Sequence, residues 1–362
     1  MGEAPCGVKL TTFLSDLQAQ FSMDLRDNRG KRHPLWIVLL GVLLAILAGR
    51  DGNLSSIHRH IFKNYKSLCE FLKIDLCSPV SRSQLPIILS KVDVVLFDKL
   101  IFKHFDICLS AQQKRWFSGD GKELRGSICK GDVRGEAVVQ LLQQSTGVVV
   151  AQSYYSGIKD SEILAIRSLL EESELKKQNI TLDALHFNPQ TLTLIEEAGG
   201  VYLVGLKNNQ AELLHEMRFS ARTSKPVFHQ EKVSEKAHGR VDTREYFMFD
   251  ISKEPVDKRW SQAALKTLIL TKRWRNKDPK TQEPECSFYI SNALPNTKTQ
   301  AIEFFEAVRN HWAIEVSNNF RDTTLKEDKF RTKKTMLPTA SLLSELSLQT
   351  SLILKKYLIK LL

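Results

Sequence analysis

Residues 179–204, NITLDALHFNPQTLTLIEEAGGVYLV, contain two short apolar runs on either side of a helical pattern. The runs Ile180–Leu182 and Val201–Val204 are rich in β-branched and large apolar residues, which predicts two strands. Between them, Pro189–Ala198 has apolar residues at helical spacing and follows Asn188, a favourable helix cap before a proline. This strand–helix–strand order predicts an α/β fold.

The same alternation extends to both sides of this segment. Strand-like runs and a helical pattern within residues 138–172 precede it, and three further strand-like runs within residues 245–291 follow it. The later runs predict a β insertion at about residues 206–299. A helical region from about Ala301 to Phe320 comes after this insertion.

The first hundred residues have a different sequence pattern, in which apolar residues recur at helical spacing. We predict an all-α N-terminal domain at residues 1–109 and an α/β domain at residues 110–362. Leu35–Gly49 is an apolar run of 15 residues. Crossing a membrane takes about 20 such residues, so a buried helix is favoured over a membrane anchor. We therefore expect no membrane partner.

Composition narrows the function classes without choosing one. The 52 basic and 41 acidic side chains give a net charge of +11, which favours polyanionic partners but also fits a well-solvated basic surface. The six cysteines form no Cys-x-x-Cys pair, which argues against a zinc ribbon and against a disulfide framework. The sequence is typical of a reduced, cytoplasmic protein.

Two aspartates lie where a metal-dependent enzyme would need them. Asp183 directly follows the run Ile180–Leu182, and sites in α/β folds lie at the carboxyl ends of strands. Asp120 lies beside Gly121, which allows close approach of the backbone to a ligand. The alternatives are a helix N-cap for Asp183 and an Asp-Gly hairpin turn for Asp120.

A third carboxylate, Glu315, lies in the helical region. Together with Phe305, Val308, Trp312 and Asn319 it falls on one helix face, which turns polar partway along. A carboxylate that continues an apolar stripe is costly without a cation or ligand, although a solvated glutamate is the simpler alternative. His311, one turn earlier, is interpreted as a supporting residue.

These residues also carry a resemblance to a known family. Asp120 begins DGKELRGS, and Thr181–Gln210 contains Asp-Ala, Gly-Gly-x-Tyr and Lys-x-Asn-Gln landmarks, followed by HGRVDTRE from His238 and HWAIE ending at Glu315. In these motifs, over nearly the whole length, the chain resembles the DDE transposases of bacterial insertion sequences, in the H-repeat-associated branch.

The resemblance implies a ribonuclease-H-like mixed sheet with a β insertion before the glutamate helix. It also implies that Asp120, Asp183 and Glu315 are catalytic and hold Mg²⁺ or Mn²⁺, as two ions, for DNA cleavage and strand transfer. The expected partner is double-stranded DNA, bound by a homodimer in a bacterial, nucleoid-associated setting. A decayed or domesticated copy that binds DNA without catalysis is the alternative.

The DNA-contacting side chains are predicted from the same motifs and from two basic stretches. The stretch from Asp257 to Lys280 has eight Lys or Arg with Trp260 and Trp274 among them, a combination suited to gripping a strand, although a charged strand edge would look the same. The predicted DNA-binding residues are Lys122, Arg125, Lys207, Asn209, His238, Arg240, Lys272, Arg273, Arg275, His311, Arg321 and Lys326.

Overall fold

A computed structural model describes most of the chain between Cys6 and Thr323. The described residues are 6–21, 32–50, 54–75, 78–93, 96–97, 100, 114–125, 128, 133–135, 137–155, 159–237, 240–275 and 283–323. They divide into two compact units. One draws on the ranges 1–110, 123–136 and 318–362, and the other on 111–122 and 137–317.

Every described element before Trp116 is helical. The helices are α1 (Cys6–Phe21), α2 (Leu35–Leu47), α3 (Leu54–Leu72) and α4 (Gln84–Leu89). The apolar run forms α2, whose described side chains are almost all buried in a core shared with the other three helices. None of the described helices combines the length and apolarity needed to cross a membrane.

The second unit is a mixed α/β structure built on a large sheet. Its strands are β1 (Trp116–Glu123), β2 (Ala137–Gln143), β3 (Val148–Tyr155), β4 (Asn179–Leu182), β5 (Val201–Leu206), β6 (Phe228–Ala237), β7 (Arg240–Asp250), β8 (Thr267–Arg275) and β9 (Glu285–Ser291). The described strands form one nine-stranded sheet in the order β3-β2-β1-β4-β5-β9-β8-β7-β6. β1, β4 and β5 are parallel to one another. β2 pairs antiparallel with β3, and each neighbouring pair in the series β5-β9-β8-β7-β6 is also antiparallel.

The helices of this unit connect and cover the strands. They are α5 (Lys159–Glu172), α6 (Pro189–Glu197), α7 (Ala211–Thr223), α8 (Lys298–Asn310) and α9 (Trp312–Thr323). The central prediction from residues 179–204 is confirmed, since β4, α6 and β5 follow one another and the two strands are parallel. Asn188 caps α6 by accepting a hydrogen bond from the Thr191 amide.

The four strands β6–β9 lie within the segment predicted as an insertion, and they extend the same sheet through the pairing of β9 with β5. Helix α8 packs on this extension. Phe304 and Phe305 are buried in a core with Leu203 of β5 and Tyr246 of β7. The Phe305 and Tyr246 rings stack with centroids 5.1 Å apart, which fixes α8, and hence the start of α9, against the sheet.

Candidate active site

Asp120 and Asp183 are neighbours because β1 and β4 are parallel. In their register Gly119 lies beside Leu182, so the next residue on each chain segment is an aspartate. Adjacent strands lie about 4.8 Å apart, which brings the two side chains to the same edge of the sheet. The strand register therefore joins two carboxylates that are 63 residues apart (183 minus 120).

The position of Asp120 excludes the hairpin alternative. It lies within β1, which continues to Glu123, and not in a turn. Burial is the largest cause that raises the pKa of Asp120 from its ordinary value near 3.8 to about 7, followed by the charges of Asp183 and Glu162. A hydrogen bond from the Gly121 amide opposes this change, and Glu315 adds a smaller effect in the raising direction.

Asp183 has both of the positions considered for it from the sequence, at a strand end and at a helix N-cap. It directly follows β4, and it is also the N-cap of a short 3-10 helix, Ala184–His186. Its Oδ1 accepts a hydrogen bond from the Leu185 amide at 2.9 Å. The second oxygen is not used in this cap, so capping and ligand binding are compatible. The cap fixes the side chain at the strand end.

Glu315 lies in the first turn of α9, and the single helix face predicted to carry it from Phe305 onward is divided between two helices. The predicted single helix is two helices, α8 and α9, that meet at His311. Trp312 is 58% exposed and Glu315 is exposed, so the carboxylate does not continue a buried face. Partial burial nevertheless raises the pKa of Glu315; Lys207 lowers it, and Asp183 raises it. Glu315 thus belongs to the same electrostatic site as the aspartates.

A buried polar network fixes the junction of α8 and α9 to the strands. The Thr181 hydroxyl on β4 lies 2.9 Å from His311 Nδ1. The Gln144 amide donates to Thr181 Oγ1 at 3.0 Å and to the Ala307 carbonyl at 3.2 Å. Burial is the main cause that lowers the pKa of His311 to about 4, so its ring is neutral at pH 7. These contacts fit the supporting role interpreted for His311, and its contact with DNA stays a prediction.

Lys207 and Asn209 lie just beyond β5, at the same edge of the sheet. Lys207 is exposed and acts electrostatically on Glu315 and on His311. The Asn209 amide donates to the Ala184 carbonyl at 2.6 Å, which ties this loop to the turn that follows Asp183. Lys207 is therefore available for a phosphate, and Asn209 has a structural hydrogen bond.

Two predicted DNA contacts are buried. Lys122 is 8% exposed and Arg321 is 0% exposed, which does not fit contacts with DNA at the surface of either unit. Arg125 is exposed, as its predicted role requires. His238 and Lys326 lie outside the described residues, as does the side chain of Arg240.

The basic residues of β8 are partly committed to contacts within the sheet. Arg273 forms an ion pair with Asp242 of β7. The Lys272 ammonium lies 4.7 Å from the centre of the Phe247 ring. Arg275 is more than half exposed and lies 3.4 Å from Glu285. Of the three, Arg275 is the most accessible to a nucleic acid.

The interpretation of Trp260 and Trp274 as strand-gripping aromatics is wrong. Trp260 is 1% exposed and Trp274 is 4% exposed. The Trp260 ring packs edge-on against Phe187, with centroids 4.9 Å apart. Both tryptophans are core residues. Sequence alone could not separate the two roles, because basic residues surround a tryptophan in either case.

The donor set of this site fits a divalent cation in its chemistry. Hard cations such as Mg²⁺ take carboxylate oxygens, and the negative charges around partly buried Asp120 favour binding of a proton or another cation. Among the described residues, no three His, Cys, Asp or Glu side chains are grouped closely enough to hold a metal ion as they stand. The arrangement is therefore an acidic site that fits a cation and not a formed metal cage.

Two curated proteins to which the chain is similar are both named putative transposases. The chain is 28% identical over 320 residues to "Putative transposase YncI" of Escherichia coli O157:H7, covering 86% of this chain and 80% of that protein. It is 26% identical over 324 residues to "H repeat-associated putative transposase YhhI" of Escherichia coli K12, covering 86% and 82%. The resemblance to the H-repeat-associated transposases is confirmed. No family model matches the chain.

Among solved structures, the chain is similar to a piggyBac transposase in a cryo-EM synaptic complex with hairpin DNA. That likeness covers 97% of this chain and 76% of the other, at 11% identity and a TM-score of 0.46. The mixed α/β architecture follows from the order and direction of the strands.

Two residues at the site were missed from the sequence, Glu162 on α5 and His186 after Asp183. Glu162 acts on the pKa of Asp120 more strongly than Glu315 does. The sequence offered a weak signal for His186, which lies in the Asp-Ala-Leu-His segment. For Glu162 no motif or spacing singled it out from the other acidic residues of α5.

Proposed function

We propose that the chain is a DDE transposase that catalyses metal-dependent DNA cleavage and strand transfer. The observation that carries the proposal is the register of β1 and β4, which puts Asp120 beside Asp183. Glu315 acts electrostatically within the same site. The relatives named as transposases support the choice of DNA as substrate over other phosphodiesters.

A ribonuclease-H-like fold is part of this proposal. The sheet order β3-β2-β1-β4-β5, with a parallel core and an antiparallel β2–β3 pair, supports it. The strands inserted between β5 and the glutamate helix α9 are in the place that the family resemblance implies. The two aspartates and the glutamate would then come from β1, β4 and α9.

In the proposed reaction Asp120, Asp183 and Glu315 would hold two divalent ions. When bound, Mg²⁺ or Mn²⁺ supplies activation of a water or 3′-hydroxyl and stabilises the leaving oxygen. The chain positions its carboxylates by the strand register, the Asp183 cap and the network at His311. Exposed Lys207 adds a positive charge at this edge, where a DNA phosphate would approach.

Binding of double-stranded DNA fits the net charge of +11. Among the described residues, the exposed predicted contacts are Arg125, Lys207, Asn209 and Arg275. We also propose that two copies act together when assembled on the two ends of an element in a bacterial cell, and that the protein is associated with the nucleoid.

The test is cleavage of end-labelled duplex DNA taken from the chromosomal sequences that flank the gene. The full-length chain is incubated with this DNA and Mg²⁺ or Mn²⁺, and products are separated on denaturing gels. We expect cation-dependent nicks, reduced at least about 100-fold by Asp120→Asn and by Glu315→Gln. Glu303→Gln, an exposed residue on α8, is the matched control and should cleave like the wild type.

Equal cleavage by the wild type and the two site variants would exclude these carboxylates as the active site. Binding of the same duplex without cleavage under any cation condition would instead favour the DNA-binding remnant. A filter-binding or gel-shift measurement on each variant separates the two outcomes, because the carboxylate substitutions should not weaken DNA binding.

A further inference from the structure

Glu162 of α5 places a fourth carboxylate beside Asp120. It is close to the backbone of β1, since a Cβ atom added to Gly121 would lie 2.7 Å from each of its carboxylate oxygens. Its charge is the second electrostatic influence on Asp120, after that of Asp183. The absence of a side chain at Gly121 is therefore what gives this carboxylate room next to Asp120.

Two side chains, Tyr155 and His186, lie against the Glu162 carboxylate. The Tyr155 hydroxyl, at the end of β3, donates a hydrogen bond to Glu162 Oε2 at 2.8 Å. The other oxygen, Oε1, lies 3.4 Å from His186 Nε2. A carboxylate positioned by a hydrogen bond loses less freedom on binding a ligand, which favours a well-ordered site.

His186 is an independent sign that this site accommodates a ligand. The residue is 0% exposed, and among the described residues neither ring nitrogen has a hydrogen-bond partner. Nε2 faces Glu162 Oε1 at 3.4 Å and Asp183 Oδ1 at 3.9 Å, so it points between the two carboxylates. Buried polar groups without partners are rare in folded proteins and commonly mark a site where a ligand, ion or water completes the contacts.

We propose that Glu162 is a fourth acidic residue of the cation site, oriented by Tyr155 and His186, and that it contributes a carboxylate oxygen to a divalent ion. This rests on the proposed function. Gathering Glu162 with Asp120 and Asp183 costs electrostatic repulsion. A bound cation reduces this repulsion, and a carboxylate oxygen is a ligand that a divalent cation prefers.

The test is calorimetric titration of the cation-free, full-length chain with Mn²⁺, without DNA. Asp120→Asn is the reference for loss of the site, and Glu171→Gln, exposed on the same helix, is the matched control. We expect Glu162→Gln to weaken Mn²⁺ binding at least about tenfold, with the control unchanged. Without the cation, the melting temperature of Glu162→Gln should equal or exceed that of the wild type, because a repulsive charge is removed.

Gly121→Ala provides a second route to the same conclusion. The added methyl group displaces the flexible end of Glu162 but leaves every charge in place. We expect weaker Mn²⁺ binding with a nearly unchanged fold, as judged by circular dichroism. Tyr155→Phe should weaken binding less than Glu162→Gln does, because it loosens the carboxylate without removing it.

The possible failures are distinct. If Asp120→Asn weakens Mn²⁺ binding but Glu162→Gln and Gly121→Ala do not, the assignment of Glu162 is wrong and the proposed function is untouched. If Glu162→Gln lowers the cation-free melting temperature and leaves the affinity unchanged, Glu162 is a structural anchor of α5. If the wild-type chain binds no Mn²⁺, both proposals are overturned.

Discussion

Two aspartates in the same sheet, Asp120 of β1 and Asp242 of β7, have pKa values that their surroundings shift in opposite directions. Asp120 has Asp183 and Glu162 near it, and its pKa is raised to about 7 by burial and by these charges. Burial would also raise the pKa of Asp242, but hydrogen bonds and charges from Arg273 and then Arg244 outweigh it and lower the pKa.

The difference separates a structural carboxylate from a functional one. Asp242 links two arginines across β7 and β8, so its charge is balanced within the fold. The side-chain charges that shift the pKa of Asp120 have its own sign, which is typical of a functional site. Crowding of like charges is thus the feature that distinguishes the candidate site from the ion-paired sheet extension.

The largest expected effect is on the cation-free stability of Asp120→Asn. Because the folded chain binds a proton at Asp120 more tightly than the unfolded chain does, this group stabilises the fold below about pH 4, and the contribution is lost as the pH rises through 7. At pH 8 the variant should therefore be more stable than the wild type, by up to about 4 kcal/mol. Urea unfolding in the presence of a chelator measures this.

At pH 4 the advantage of Asp120→Asn should disappear, since the wild-type carboxyl is then protonated. Glu216→Gln, an exposed substitution on α7, is the control and should change the free energy of unfolding little at either pH. A variant less stable than the wild type at pH 8 would show that Asp120 is a structural residue like Asp242.

A second, intermediate effect is expected for Asp242→Ala, which should destabilise the fold by about 2 kcal/mol at pH 7. The substitution leaves Arg244 and Arg273 partly buried and without their shared acid. The lowered pKa of Asp242 means that its stabilisation is present above the unfolded value and is lost as the pH falls through the folded one. Thermal unfolding between pH 2 and pH 7 measures the effect.

The matched control for Asp242→Ala is Glu285→Ala. Glu285 pairs with Arg275 at 3.4 Å, but both side chains are more than half exposed. An exposed pair of this kind contributes about 0 to 1 kcal/mol. Similar losses in the two variants would mean that the arginines around Asp242 are solvated and that the proposed contrast between the two regions is smaller than we infer.

The smallest effect is expected for Lys207→Met. Lys207 lowers the pKa of Glu315, so its removal should raise that pKa further. The lysine is exposed, so the change should amount to less than about 1 kcal/mol and should shrink in high salt. Carboxyl chemical shifts followed by NMR during a pH titration would measure it, and a lowered Glu315 pKa would contradict the assigned electrostatics.

Local sequence predicted the centre of the fold well. β4, α6 and β5 follow from apolar runs and from the Asn188 cap, which are local signals. The same local reasoning also allowed a hairpin turn at Asp120, because Asp-Gly is a frequent turn pair. The pairing of β1 with β4 keeps this residue in an extended strand. The DNA-gripping role considered for Trp260 was wrong, because the residue is buried in the core although its neighbours in the sequence are charged.

The sequence by itself determined the helical and strand segments around residues 179–204. Through a family resemblance, it also predicted which three acidic residues are catalytic. Tertiary structure decided which charges meet. The parallel register of β1 and β4 brings Asp120 beside Asp183, and the packing of α5 brings Glu162 to them. The reason is physical: helix and strand formation depend on neighbours along the chain, whereas the pKa of a carboxyl depends on whatever charge lies within a few ångströms in space.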